Sequence, residues 1–142
     1  MKKKNKKVNA AILVIGNEIL SGRTQDKNVA FISDWLNSKC GITVQEVRII
    51  PDIEKIIINN IQILSKNYNY VFTTGGIGPT HDDITFEGVA KAFDDTTFLH
   101  PEMEQLIRDY FKDVNDAVLK LGQVCYQMII LFFLFYCGLK QQ

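Results

Sequence analysis

Apolar residues recur along this chain with two alternating periods, one typical of buried strands and the other of helices. Residues 9–15 form an apolar run, which is the pattern of a parallel strand covered on both faces. Residues 42–50 are rich in β-branched residues, and residues 69–74 form a short apolar stretch. We therefore predict three strands at these positions, with room for a helix after each.

The segments between the strands carry apolar residues at helical spacing. Residues 26–40 present an apolar stripe and are followed by Gly41, a residue common just past a helix end. Asp52 is predicted to cap a second helix, because its carboxylate can accept hydrogen bonds from the first free amides. Thr85 is predicted to cap a third helix, and a last one follows His100-Pro101. The stripe of the second helix comprises Ile53, Ile57, Ile61 and Leu64.

This alternation predicts an α/β fold in which helices cover both faces of a mostly parallel sheet, a three-layer αβα arrangement. In such sheets ligands bind beyond the carboxyl ends of the strands. The loops at residues 16–22 and 75–85 follow the first and third strands. We expect both loops at the same edge of the sheet, where they would form the walls of one pocket.

Charge is distributed unevenly, although the formal net charge is zero. Five of the 16 basic residues lie within residues 2–7, so the remainder of the chain is acidic overall. An acidic folded part argues against a nucleic-acid-binding protein. The basic segment is predicted to be a solvated tail, with weak contact to an anion as the alternative. The three cysteines fit neither a disulfide framework nor a zinc site, which favours the reducing cytoplasm.

The strongest chemical signal is the segment Thr74-Gly75-Gly76-Ile77-Gly78-Pro79-Thr80, directly after the third strand. Its three glycines let the backbone approach a bulky anion and turn N–H groups toward it. The hydroxyls of Thr74 and Thr80 can donate hydrogen bonds to phosphate, and the positive end of the following helix favours negative charge. The alternative is that the glycines serve only tight turns.

Acidic residues accompany this loop. Asp82 and Asp83 follow it directly, and Asp52 ends the second strand. Carboxylates beside bound phosphates repel them unless a cation intervenes, so this arrangement favours Mg²⁺ or another divalent metal. The alternative for Asp52 and Asp83 is a role at the entry of a helix. His81 is a candidate donor to phosphate, or simply a solvent-exposed residue.

The loop after the first strand reads Gly16-Asn17-Glu18-Ile19-Leu20-Ser21-Gly22. Its residues Gly16, Glu18, Ser21 and Gly22 are candidates for the opposite wall of the pocket. In isolation the segment is no more specific than an ordinary loop between a strand and a helix.

Taken in order, these segments resemble the molybdopterin-binding domain family, MoaB/Mog. They are most similar to the CinA N-terminal domain and the amino-terminal domain of FAD synthases. The resemblance is carried by the glycine segment at residues 16–22, by Pro51-Asp52 and by residues 74–85, and it covers about residues 8–121. It implies a three-layer α/β fold, a homo-oligomer (dimer or trimer) and a pocket at the carboxyl edge of the sheet.

The resemblance also implies a chemistry. Molybdenum-cofactor members adenylylate molybdopterin with Mg²⁺, whereas the CinA-like branch implies metal-dependent hydrolysis of a nucleotide pyrophosphate such as ADP-ribose. Asp83 and Asp52 match the aspartates that the molybdenum-cofactor members carry at the end of the loop and after the second strand. They are the candidate metal ligands, and with Asp82 they are the candidate catalytic residues. The candidate contacts to a nucleotide or pterin are Gly16, Glu18, Ser21, Gly22, Thr74, Gly75, Gly76, Gly78, Pro79, Thr80 and His81. A non-catalytic pterin- or nucleotide-binding module is the alternative.

The resemblance stops near Leu121. Residues 122–139 carry no charge, and the uninterrupted apolar run from Met128 to Cys137 is shorter than the ~20 residues needed to cross a bilayer. We therefore divide the chain into a basic disordered tail (1–7), the molybdopterin-binding-like domain (8–121) and an atypical apolar tail (122–142). We expect a truncated or frame-shifted end that removes part of the pocket wall. A native element packed on the core or on another subunit, and a membrane-associating tail, are the alternatives.

Overall fold

Three parallel strands form the main sheet of the protein. The structure is a computed structural model that describes residues 8–78 and 80–125. The strands are β1 (Asn9–Ile15), β2 (Thr43–Ile50) and β3 (Tyr70–Thr74), and β1 lies between the other two. Each lies within one residue of its predicted bounds. The predicted α/β fold with a mostly parallel sheet is confirmed.

Six helices connect and follow these strands in the described part of the chain. They are α1 (Asn17–Leu20), α2 (Asn28–Cys40), α3 (Glu54–Asn67), α4 (Thr85–Ala92), α5 (Pro101–Tyr110) and α6 (Asp116–Leu119). A 3₁₀ turn, Lys120–Gly122, follows α6, and β4 (Phe98–Leu99) pairs antiparallel with β5 (Gln123–Val124). The sequence did not predict α1, α6 or this small sheet, because elements of two to four residues carry too short a pattern to show a period.

The order of the strands explains the three layers. From β1 the chain moves to β2 on one side, and from β2 it returns past β1 to β3 on the other side. Because crossovers between parallel strands are right-handed, the helices of these two connections lie on opposite faces of the sheet. Strand β1 is covered on both faces, and no side chain from Ala10 to Ile15 is more than 2% exposed.

The larger part of the core lies on the face covered by α3 and α4. Alternate β1 side chains, Ala11, Leu13 and Ile15, pack there with the buried stripe of α3. The stripe is formed by Ile57, Ile61 and Leu64. Ile53, also predicted to belong to it, is half exposed because the helix begins only after it. Helices α3 and α4 approach closely at Gly88, where a Cβ atom would lie 2.6 Å from Cγ2 of Ile57.

Both predicted tails lie largely outside the described residues, so the predictions for residues 1–7 and 126–142 stay predictions. The first four residues assigned to the apolar tail are described, and they pack with the domain. Strand β5 pairs with β4, and Cys125 is fully buried in the main core. Within residues 8–78 and 80–125, no helix combines the length and the apolar composition needed to cross a membrane.

Candidate functional site

A cleft of about 290 Å³ opens at the carboxyl edge of the parallel sheet. The loops after β1 and β3 form its walls, as the sequence predicted, and the residue that follows Pro51 at the end of β2 lies between them. Its lining is mostly polar and acidic, and comprises Asn17, Glu18, Arg23, Asp52, Gly76, Thr80, Asp82 and Asp83. The three candidate catalytic aspartates therefore lie in one cleft.

Asp52 joins the two walls of the cleft. Its Oδ2 accepts a hydrogen bond of 2.8 Å from the backbone N–H of Asn17, in the loop after β1. Its Oδ1 faces the other loop and lies 3.1 Å from the position that a Cβ on Gly76 would take. The predicted capping role of Asp52 is wrong, because α3 begins at Glu54 and has no side-chain cap.

Asp83 is held by its own loop. Its Oδ2 accepts hydrogen bonds from the backbone N–H of Thr80, at 3.0 Å, and from the Thr80 hydroxyl. Partial burial would by itself raise the pKa of Asp83. The bonds from Thr80 and from the backbone N–H of Gly78, together with the positive charge of Lys120, outweigh burial and lower the pKa below its usual 3.8. The carboxylate is therefore charged near neutral pH.

The glycines of the loop after β3 are required by close packing. Gly75 has φ 91°, and a Cβ there would lie 2.0 Å from the carbonyl oxygen of Ile15. Gly76 has φ 59°, and its Cβ would lie 2.4 Å from the Thr85 hydroxyl oxygen. A Cβ on Gly78 would meet the Asp83 carboxylate at 2.6 Å. Gly75 and Gly76 therefore let the loop lie against the end of β1 and the first residue of α4, and Gly78 leaves room for the Asp83 carboxylate.

Two threonines near the loop bind protein groups. The Thr85 hydroxyl is fully buried and donates to the Gly75 carbonyl, while its backbone N–H donates to the Gly76 carbonyl. The predicted capping of α4 by Thr85 is wrong, because no side-chain cap forms there. The Thr74 hydroxyl oxygen accepts a 2.7 Å hydrogen bond from Asn28 Nδ2. Thr74 therefore links β3 to the start of α2 and does not line the cleft.

The loop after β1 contributes mainly through its backbone and through Glu18. Gly16 is buried, its N–H donates to the Ile50 carbonyl, and the Glu18 carboxylate lies directly over its α-carbon. Ser21 is bound within the loop, since its hydroxyl donates to the Glu18 carbonyl. Gly22 adopts φ 71°, which serves the turn after α1. Of these four candidates, only Glu18 lines the cleft.

The remaining candidates lie at the mouth of the cleft. His81 Nε2 is 2.8 Å from Asp82 Oδ1, and both side chains are largely exposed to solvent. Asp82 lines the cleft and His81 does not. Pro79 lies outside the described residues, so its predicted contact stays a prediction.

Arg23 and Lys120 are site residues that the sequence did not single out. Among the described residues that line the cleft, Arg23 is the only cationic side chain, and its Nε donates to the Ser21 hydroxyl at 3.1 Å. Its position directly after Gly22, at the end of the predicted pocket loop, was the sequence feature that could have identified it. Lys120 contacts the loop of Asp83 from 37 residues further along the chain, a distance at which no local pattern could reveal it.

The donor set of the cleft fits a hard cation only in part. In the described ranges, no three His, Cys, Asp or Glu side chains are grouped to hold a metal ion by themselves. Asp52 and Asp83 nevertheless offer carboxylate oxygens to the same cleft. Mg²⁺ is commonly held by one or two carboxylates completed by water and substrate phosphates, so this pair suits a metal that arrives with its ligand.

Comparison with known proteins agrees with this architecture. The model of a family described as "Probable molybdopterin binding domain" matches residues 11–132. A Caenorhabditis elegans protein named "Probable FAD synthase" is 43% identical over 101 residues, which cover 71% of this chain and 19% of that protein. The chain thus spans about a fifth of this relative's length.

Solved structures show the same fold. CinA from Thermoplasma acidophilum, described as a protein of unknown function, has a TM-score of 0.76 and 30% identity, covering 84% of this chain and 72% of that one. The molybdopterin biosynthesis enzyme MoaB from Thermus thermophilus has a TM-score of 0.60 at 21% identity, covering 82% and 72%. The chain belongs to the molybdopterin-binding domain family, and its relatives include CinA and FAD synthase proteins.

Proposed function

We propose that the cleft binds the phosphates of a nucleotide or pterin together with Mg²⁺ or another divalent ion. The first candidate reaction is hydrolysis of a nucleotide pyrophosphate of the ADP-ribose type, and the second is adenylyl transfer to molybdopterin. The observation that carries the proposal is the convergence of Asp52, Asp83 and Gly76 on one cleft at the carboxyl edge of the sheet.

Each side chain has a distinct task in this proposal. Asp52 and Asp83 hold the ion, which when bound neutralises charge on the phosphates. Arg23, which also lines the cleft, faces the same anionic groups. Asp82 is exposed at the cleft mouth and is available to accept a proton from an attacking water. Catalysis then rests on position and charge rather than on a nucleophilic side chain.

A non-catalytic binding role is the alternative to both reactions. The family description names binding and not a reaction. On this alternative the chain holds a pterin or nucleotide in the same cleft and passes it to a partner.

Turnover assays distinguish an enzyme from a non-catalytic binding module. The protein is incubated with ADP-ribose, FAD, or ATP plus molybdopterin, with and without Mg²⁺, and release of AMP or formation of an adenylylated product is measured. We expect metal-dependent turnover that EDTA abolishes. Asp83→Asn and Asp52→Asn should each lower kcat/KM by about 100-fold or more, because charge stabilisation is lost.

Two controls make this assay decisive. Asp113→Asn changes an exposed aspartate outside the cleft and should leave kcat/KM unchanged. Gly76→Val fills the space between Asp52 and Thr85 and should abolish ligand binding. If no substrate is turned over but a ligand binds and Gly76→Val abolishes that binding, the enzyme hypothesis is rejected in favour of the binding module. Unchanged activity of Asp83→Asn would reject the metal assignment.

We further propose that the chain works in the cytoplasm as a homo-oligomer, a dimer or a trimer. Exposed apolar side chains support the oligomer, because Val47 and Ile49 of β2 are each more than 40% exposed and Phe31 of α2 is 71% exposed. Light scattering coupled to size-exclusion chromatography measures the mass directly. A mass equal to a single chain would reject the oligomer.

A further inference from the structure

Lys120 is an unusually buried lysine whose ammonium group contacts the loop of the candidate catalytic aspartates. Its side chain is only 17% exposed, whereas lysines are rarely buried without partners. Its Nζ donates to the Thr80 carbonyl at 3.0 Å and to the Asp83 carbonyl. It also lies 3.7 Å from Glu87 Oε1 in the first turn of α4.

These contacts hold the two ends of one turn. Within the turn, the Asp83 N–H donates to the Thr80 carbonyl at 3.2 Å, and the Thr80 N–H donates to the Asp83 carboxylate. Lys120 adds a charged donor to the carbonyls of the same two residues. Thr80, Asp82 and Asp83 line the cleft and Lys120 does not, so the lysine supports the turn from behind.

Glu87 makes the arrangement sensitive to the charge of Lys120. Its Oε2 is buried, and no group in the described part of the chain donates a hydrogen bond to it. Lys120 is the cation next to this carboxylate. Removing the ammonium group would leave Glu87 unpaired and two loop carbonyls without their donor, and both losses act on the segment that leads from Thr80 into α4.

We propose that Lys120 is a positioning residue that fixes the turn 80–83 and thereby sets where Asp83 projects into the cleft. This deepens the proposed function and rests on it for its effect on turnover. The effect on the turn itself does not need a ligand. The segment 115–122 thus supports the site through Lys120, although none of its residues lines the cleft.

Amide hydrogen exchange of the ligand-free, full-length protein tests the turn. Lys120→Met keeps most of the side-chain length and removes the charge, and we expect roughly tenfold faster exchange in peptides covering residues 80–85. Lys120→Arg retains charged donors and should restore slow exchange. Lys91→Met, which removes an exposed lysine paired with Glu54 on the outer side of α4, should change nothing at residues 80–85.

Kinetics test the consequence for the site. Lys120→Met should lower kcat/KM for the substrate that shows turnover by roughly 10- to 100-fold, the usual effect of losing a partner that orients a ligating group. The double variant Lys120→Met/Glu87→Gln removes the unpaired charge, so it should regain thermal stability while kcat stays low. Lys120→Arg should recover most of the activity.

The outcomes separate this inference from the proposed function. Unchanged exchange at residues 80–85 in Lys120→Met, or a double variant with wild-type kcat/KM, would overturn the role of Lys120. Equal defects in Lys120→Arg and Lys120→Met would do the same. A wild-type protein without turnover or ligand binding would reject the proposed function, and the exchange measurement would still decide whether Lys120 holds the turn.

Discussion

At the scale of single residues, the candidate site depends on close contacts that a larger side chain at Gly75 or Gly76 would disrupt. Gly75 places its α-carbon against the carbonyl of Ile15, at the end of the central strand. Asp52 uses one carboxylate oxygen to bind the loop after β1 and turns the other toward Gly76. The glycines therefore have a structural reason to be present as well as the phosphate-binding role predicted for them, and the two roles are compatible.

Replacing Gly75 separates close contact from backbone strain. Gly75→Ala combines a positive φ with a Cβ only 2.0 Å from the Ile15 carbonyl oxygen. The expected destabilisation is more than about 4 kcal/mol, a large share of the stability of an ordinary domain. Gly41→Ala is the matched control, because its φ of 65° is similar and nothing lies within 4 Å of the added atom.

Gly41→Ala should lower the free energy of unfolding by about 1–2 kcal/mol, which is the strain of an alanine in the left-handed conformation alone. Urea unfolding followed by circular dichroism measures both variants. If the two variants lost the same free energy of unfolding, the close contact between Gly75 and β1 would be absent.

At the scale of elements, a polar network joins β2 to the residue that follows α3. The Tyr68 hydroxyl donates to Glu46 Oε2 at 2.6 Å, and Arg48 donates to the other oxygen of this carboxylate. Arg48 also donates to Asn60 of α3 at 2.8 Å. The hydrogen bond from Tyr68, followed by that from Arg48, lowers the pKa of Glu46 below its usual 4.5.

This network predicts a pH dependence of stability. Because the pKa of Glu46 is lower in the folded state, its contribution is fully present above about pH 4.5 and is lost as the pH falls through the folded value. Tyr68→Phe removes the largest cause of the shift, so the free energy of unfolding should fall less steeply between pH 5 and pH 3 than in the wild type.

Urea midpoints measured across that range test the difference. Tyr70→Phe is the control, since within residues 8–78 and 80–125 its side chain has a ring contact with Phe72 but its hydroxyl has no hydrogen-bond partner. If Tyr68→Phe kept the wild-type slope, the bond between Tyr68 and Glu46 would have no role in acid stability.

At the scale of the whole molecule, stability is concentrated in the parallel sheet. Strand β1 is enclosed by β2, β3 and the helical layers, whereas α5, within the described part of the chain, buries Ile107 alone and leaves Tyr110 83% exposed. Segments with few buried side chains open locally, while a fully enclosed strand exchanges its amide hydrogens through global unfolding. Helix α5 is therefore expected to belong to the less stable part of the described chain.

Hydrogen exchange with mass spectrometry tests this division. Peptides covering β1 should show an opening free energy equal to the global value from urea unfolding, and peptides covering α5 should open at a lower free energy. Equal opening free energies for the two regions would mean that the described chain unfolds as a single unit.

Much of this fold was predictable because it depends on local periodicity. The apolar run at residues 9–15 predicted a strand buried on both faces, and β1 is that strand. Gly41 predicted the end of a helix and takes up the left-handed conformation there. The segments at residues 16–22, 51–52 and 74–85 together predicted the family, and the loops at 16–22 and 75–85 predicted the edge of the sheet at which the candidate cleft lies.

The strands, the longer helices, the order of the loops around the cleft and the family could all be predicted from residues 8–121, because each depends on neighbours along the chain. The hydrogen-bond partners of the site residues became visible only in the folded structure. Asp52 binds Asn17, 35 residues away, instead of capping its own helix, and Lys120 reaches the turn of Asp83 across 37 residues. Contacts of this kind join residues far apart along the chain and follow from how the layers pack, which the local spacing of apolar residues does not specify.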